Sequence, residues 1–79
     1  MARLATTVAI SLRKFRSTWY YTAHFAEGGS SSSNHSGSKA VALHKAAVGV
    51  LPGETFALVT NERSEGAWTK NAAGKVVRA

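Results

Sequence analysis
The sequence predicts an α+β fold: an antiparallel sheet of four to five strands with one α-helix packed on a face, in the order β-β-α-β-β(-β). Three observations carry this. Two early stretches alternate apolar and polar residues with a period of two. One later stretch repeats apolar residues at three- and four-residue steps. The last third returns to short runs divided by turn residues. Sequential strands pair readily, and one helix can cover one sheet face.

The first alternating stretch is TVAISLR, residues 7–13. Val8, Ile10 and Leu12 point one way, and Thr7, Ala9, Ser11 and Arg13 the other, as in a half-buried strand. The second is STWYYTAHF, residues 17–25. Trp19, Tyr21, Ala23 and Phe25 share one side, and Tyr20, Thr22 and His24 the other. Its aromatic and β-branched residues favour a strand. The intervening KFRS is short and polar, so the two strands form an antiparallel hairpin. It holds neither Gly nor Asn, and the turn type stays unspecified.

AEGGSSSSNHSGS, residues 26–38, has almost no apolar residue and is expected to be a flexible loop. The helix follows in SKAVALHKAAVGVLPG. Ser38 is its expected N-cap. Ala40, Leu43, Ala47 and Val50 form its periodic face, with Val41, His44, Val48 and Leu51 alongside. Gly49 weakens the last turn, and Pro52-Gly53 stop the helix.

ETFALVTNE reads as a third strand. Phe56, Leu58 and Thr60 alternate with Ala57 and Val59, so both faces are expected to be buried, as in a central strand. RSEG reads as a turn. AWTK and KVVRA read as two short strands around NAAG, where Asn71 and Gly74 suit a hairpin loop.

A chain of 79 residues reads as a single domain, 1–79, with a small core. It contains no cysteine, so neither a disulfide framework nor a thiolate metal site supports it. Its longest apolar runs are too short to span a bilayer. MARLATTVAISL lacks the apolar core and small-residue cleavage site of a signal peptide, so a cytoplasmic protein is expected. Ten Lys and Arg face four acids, all Glu, for a net charge of +6. That surplus favours anionic partners. It is unevenly placed: Arg3, Arg13, Lys14 and Arg16 precede any acid, Glu54, Glu62 and Glu65 cluster later, and Lys70, Lys75 and Arg78 follow. A polarised surface is expected.

Catalytic chemistry is not expected. His24, His35 and His44 show no zinc-binding spacing, so no metal or other cofactor is predicted. The serines include no G-x-S-x-G elbow, and serines in a loose loop are not held to catalytic precision. Gly37 is followed by Ser38 and Lys39, not by the Gly-Lys of a phosphate-binding loop. Free N–H groups at the helix start, with Lys39 beside them, could still hold an anion.

SLRKFRSTWYY, residues 11–21, is the strongest candidate for a contact surface. Arg13, Lys14 and Arg16 attract phosphates, and sheet aromatics can stack on unpaired bases. Trp19 and Tyr21 share a side with Phe25 and are expected in the core. Tyr20 faces the other way, toward a partner. With the later cations, the candidate partner-binding residues are Arg13, Lys14, Arg16, Tyr20, Lys39, Lys45, Lys70 and Lys75. No RNA-recognition aromatic signature, zinc finger or GXXG loop is present.

The helix SGSKAVALHKAA, the strand after it and the segment EGAWTKNAAGKVV together resemble small phage-encoded anti-CRISPR proteins, the basic single-helix kind that binds type I Cascade complexes. The resemblance implies an inhibitor acting in the infected bacterial host. It would sit on the Cas7 backbone and block hybridisation of target DNA to the guide. Basic side chains on and near the helix would make the contact, with Lys39 and Lys45 matching those positions. The chain departs from that pattern in having no adjacent pair of cations on its helix and an unusually long serine loop. Two other readings stand beside it: a nonspecific basic nucleic-acid-binding domain, and an assembly partner joined through a sheet edge.

Overall fold
The computed structural model describes residues 6–30 and 34–79. Its elements are β1 (Thr7–Phe15), β2 (Thr18–Phe25), β3 (Asn34–Ser36), α1 (Lys39–Ala46), β4 (Thr55–Thr60), β5 (Arg63–Lys70) and β6 (Val76–Arg78). The class is α+β, with one α-helix on one face of a sheet. The sheet has six strands, in the order β3-β2-β1-β4-β5-β6.

The sheet is mixed, not wholly antiparallel. Four neighbouring pairs are antiparallel, but β1 and β4 run parallel, with Ile10 beside Leu58 and Leu12 beside Thr60. The cause is the helix. It carries the chain from the β2 side of the sheet back across a face, so β4 enters beside β1 in the same direction. The sixth strand is Asn34–Ser36, which pairs with β2 inside the stretch read as a loop. Residues 31–33 of that stretch lie outside the described residues.

The β1–β2 hairpin is tighter than the KFRS connection suggests. Phe15 pairs with Thr18, leaving only Arg16 and Ser17 in the turn. Arg16 has a φ of +59°. A positive φ at the first of two turn residues belongs to the II′ geometry, which matches strand twist and usually takes Gly there.

The expected inward set of β1 is altered at one position. Thr7 pairs with Phe25 and Ala9 with His24, so an extra residue bulges at Val8. The bulge resets the alternation. Thr7 is buried, whereas Val8 is 43% exposed.

In β4, Phe56 and Leu58 are buried but Ala57 is exposed. Among the described residues no layer covers the second face of this central strand, contrary to the expectation of burial on both faces. RSEG belongs to β5. The turn before it is Asn61-Glu62, with φ of +50° and +67°. Asn71 closes the last hairpin as expected, its side-chain oxygen accepting the N–H groups of Ala73 and Lys75.

Ser38 caps α1, its hydroxyl accepting the Val41 N–H at 3.5 Å. The α-helix stops at Ala46, and Ala47–Gly49 continue as a 3₁₀ turn. The face against the sheet is Ala42, Ala46, Ala47 and Val50, with Leu43 half-buried; Ala40 is exposed. Small side chains let the helix approach the sheet, where it meets Ile10, Leu12, Phe56 and Leu58. Trp19, Tyr21, Trp68 and Val76 pack around that cluster. Trp19 and Tyr21 therefore belong to the core side, as their alternation predicts.

A basic and aromatic end on the open sheet
The helix covers one face of the sheet, and among the described residues no element covers the other. Register defines who shares the open face. Ser11 lies opposite Thr22, and Arg13 opposite Tyr20, which in turn lies opposite His35 of β3. Phe15 follows Arg13 at the next position of the same parity. Tyr20 is 37% exposed and Phe15 60%. The Tyr20 and His35 rings stack, with centroids 6.1 Å apart and planes at 29°. The Arg16 guanidinium lies over the Phe15 ring, 5.4 Å from its centroid. Further along, Ser11 Oγ and His24 Nε2 are hydrogen-bonded at 2.9 Å. No carboxylate occurs anywhere in β1, β2 or β3.

Because β1 and β4 are parallel, the β1–β2 turn and the β4–β5 turn lie at the same end. Leu12 is beside Thr60, and the Asn61 N–H donates to the Leu12 carbonyl at 2.8 Å. This end gathers Arg13, Lys14, Arg16 and Arg63. It also receives Glu62 and Glu65. The acidic segment is thus not set apart from the basic hairpin, as its place in the sequence suggests. Parallel pairing folds it back beside the cations.

Glu65 is engaged within the fold. Thr60 Oγ1 donates to its carboxylate, and Lys39 Nζ lies 3.4 Å from the same oxygen. The Thr60 hydrogen bond holds the Glu65 carboxyl below its ordinary range; partial burial opposes this, and attraction to Lys39 reinforces it. Lys39 also sits over Trp19, with Nζ 5.9 Å from the ring centroid.

The eight candidate residues therefore divide. Arg13, Lys14, Arg16 and Tyr20 come together at the hairpin end. Lys39 is near that end but engaged with Glu65 and Trp19. Lys45 is exposed on α1. Lys70 is half-buried, and its Nζ donates to the Ala47 carbonyl at 2.6 Å, tying the end of the helical segment to the sheet. Lys75 lies in the β5–β6 loop, at the opposite end from the hairpin turn.

Three residues of the cluster escape the sequence reading. Phe15 is overlooked because KFRS reads as a connection, although its parity with Arg13 marks the face. His35 depends on a strand with weak propensity. Arg63 depends on the parallel pairing.

Among the described residues no three His, Asp or Glu side chains gather as a metal site, and no helix is long and apolar enough to cross a membrane. Comparison with known proteins finds no matching family model, no matching curated protein and no matching solved structure.

Proposed function
We propose that the chain is a binding protein and not an enzyme, and that its basic end and the open sheet face engage nucleic acid. The observation that supports this is the composition of the open face: Arg13, Phe15, Tyr20 and His35 together, on three strands without a carboxylate. Cations supply attraction to phosphates, and exposed rings supply a surface for bases. Complementary charge speeds encounter.

Fluorescence anisotropy with labelled DNA and RNA tests the reading. If Arg13, Lys14 and Arg16 each neutralise one phosphate, affinity for a single strand falls about twentyfold between about 50 mM and about 200 mM salt. Replacing Arg13 and Lys14 by Gln and Arg16 by Gly removes most of that salt dependence. Binding that ignores both salt and the substitutions rejects the reading.

A second reading is favoured by the outward side of α1 and the 3₁₀ turn that continues it. Val41, Lys45 and Val48 follow at steps of four and three and are exposed, Val48 by 82%. On this reading the chain is an anti-CRISPR inhibitor that docks on the Cas7 backbone of type I Cascade and blocks target DNA hybridisation. Val48→Asp and Lys45→Glu together then abolish association with purified Cascade in a native gel. Lack of association by the unaltered chain with each type I subtype rejects it.

A further inference from the structure
Resting on the nucleic-acid reading, we infer that the ligand is single-stranded RNA, laid across β1, β2 and β3 with unpaired bases stacked on Tyr20 and Phe15.

The preference for a single strand comes from the kind of surface on offer. The open face is a sheet, and among the described residues no helix or ribbon stands out from it to enter a groove. Its exposed rings are Phe15 and Tyr20, the latter stacked on His35. In a duplex each base face is already covered by its neighbours, so rings lying on a sheet gain nothing from it. A duplex could meet only the cations. Unpaired bases, by contrast, offer both faces to such rings, whatever the sequence. The cations stand beside the rings: Arg13 is opposite Tyr20 across the ladder, and Arg16 lies over Phe15. A backbone that crosses the turn while its bases lie on the rings meets both.

The choice of RNA comes from what lies next on the face. Beyond the rings are Thr22, Ser11 and His24, with Ser11 directly opposite Thr22 and hydrogen-bonded to His24 at 2.9 Å. All three are half-buried, and their hydroxyl and imidazole groups both donate and accept. A ribose resting on the sheet presents its 2′-hydroxyl, which also donates and accepts; a deoxyribose lacks that group and offers acceptors only.

The test uses the full chain and three labelled probes of one sequence, about ten nucleotides long: single-stranded RNA, the matching DNA and the RNA duplex. The unaltered protein is expected to bind single-stranded RNA tightest. Replacing Tyr20 and Phe15 by Leu keeps apolar strand residues but removes the rings; each change should weaken single-strand binding by about tenfold and leave duplex binding unchanged. Tyr20→Phe keeps the ring and should keep the affinity, which separates lost stacking from a damaged fold. Equal loss on duplex and single strand overturns the stacking geometry. Equal affinity for RNA and DNA overturns the ribose contact. Failure to bind any of the three probes removes the nucleic-acid reading itself, a different outcome from either.

Discussion

The side-chain oxygen of Asn61 accepts the backbone N–H of Lys14 at 2.9 Å, joining residues 47 positions apart. The Asn61 N–H donates in turn to the Leu12 carbonyl at 2.8 Å. One residue thus continues the β1–β4 pairing past the end of the ladder. Asn suits the place because its short polar side chain tolerates the φ of +50° that the turn requires. Asn61→Ala loses the acceptor and the tolerated conformation, and should destabilise by about 1–2 kcal/mol. Asn61→Gly keeps the conformation and should cost less. Urea denaturation midpoints check the order.

Glu65 gives a pH dependence of known sign. Its folded-state pKa is lowered, chiefly by the Thr60 hydrogen bond. Its contribution is therefore fully present above the ordinary carboxyl value of 4.5 and lost as pH falls through the lower folded value. Glu65→Gln should be less stable than the parent at neutral pH, and the two stabilities should converge in acid below that value. A gap that persists there would assign the effect to packing.

Arg16 occupies a turn position where Gly is the unstrained choice. Its positive φ costs about 1–2 kcal/mol in a residue with a Cβ. Gly removes that cost but frees the unfolded chain by about 0.5–1 kcal/mol. Arg16→Gly should leave Tm unchanged or raise it by a few degrees. A fall of more than about 5 °C, equivalent to about 1 kcal/mol in a domain of this size, would show that the Arg16–Phe15 contact carries stability.

Lys70 separates a structural cation from those proposed to bind. Its ammonium donates to the Ala47 carbonyl at the end of the helical segment. Lys70→Ala should lower stability by about 1 kcal/mol in thermal unfolding and leave nucleic-acid affinity unchanged. Arg13→Gln should do the reverse.

What the sequence made legible follows from the range of each signal. Alternation in 7–25 marked the hairpin and put Trp19 and Tyr21 on the core side, since that signal is local. Ser38 marked the helix start through its capping chemistry, and Asn71 and Gly74 marked the last loop. The bulge at Val8 was invisible because it depends on the register chosen with β2. Asn34–Ser36 was invisible because Asn, His and Ser have little β propensity; pairing with an open edge orders them. The parallel β1–β4 pair was the largest omission. It depends on which side of the first hairpin the chain returns to, and neither stretch encodes that. The composition of the basic end followed from it. Arg13, Lys14, Arg16 and Tyr20 were found because they are neighbours in sequence, while Arg63 and His35 join them only in space.

The pairing of Ile10 with Leu58 and Leu12 with Thr60 has a consequence for assembly of the molecule. It closes a loop of more than forty residues, so joining the first hairpin to its central neighbour carries a large share of the loop-closure entropy of folding. A two-stranded hairpin alone is marginal in water. A synthetic peptide of residues 7–25 would carry Arg13, Lys14 and Arg16, three of the ten Lys and Arg, and both exposed rings, yet lack Asn61 to fix its tip and β3 to supply His35. On the proposed nucleic-acid reading, a ligand that selects the hairpin end binds only the assembled fold and so draws the whole protein toward its native form.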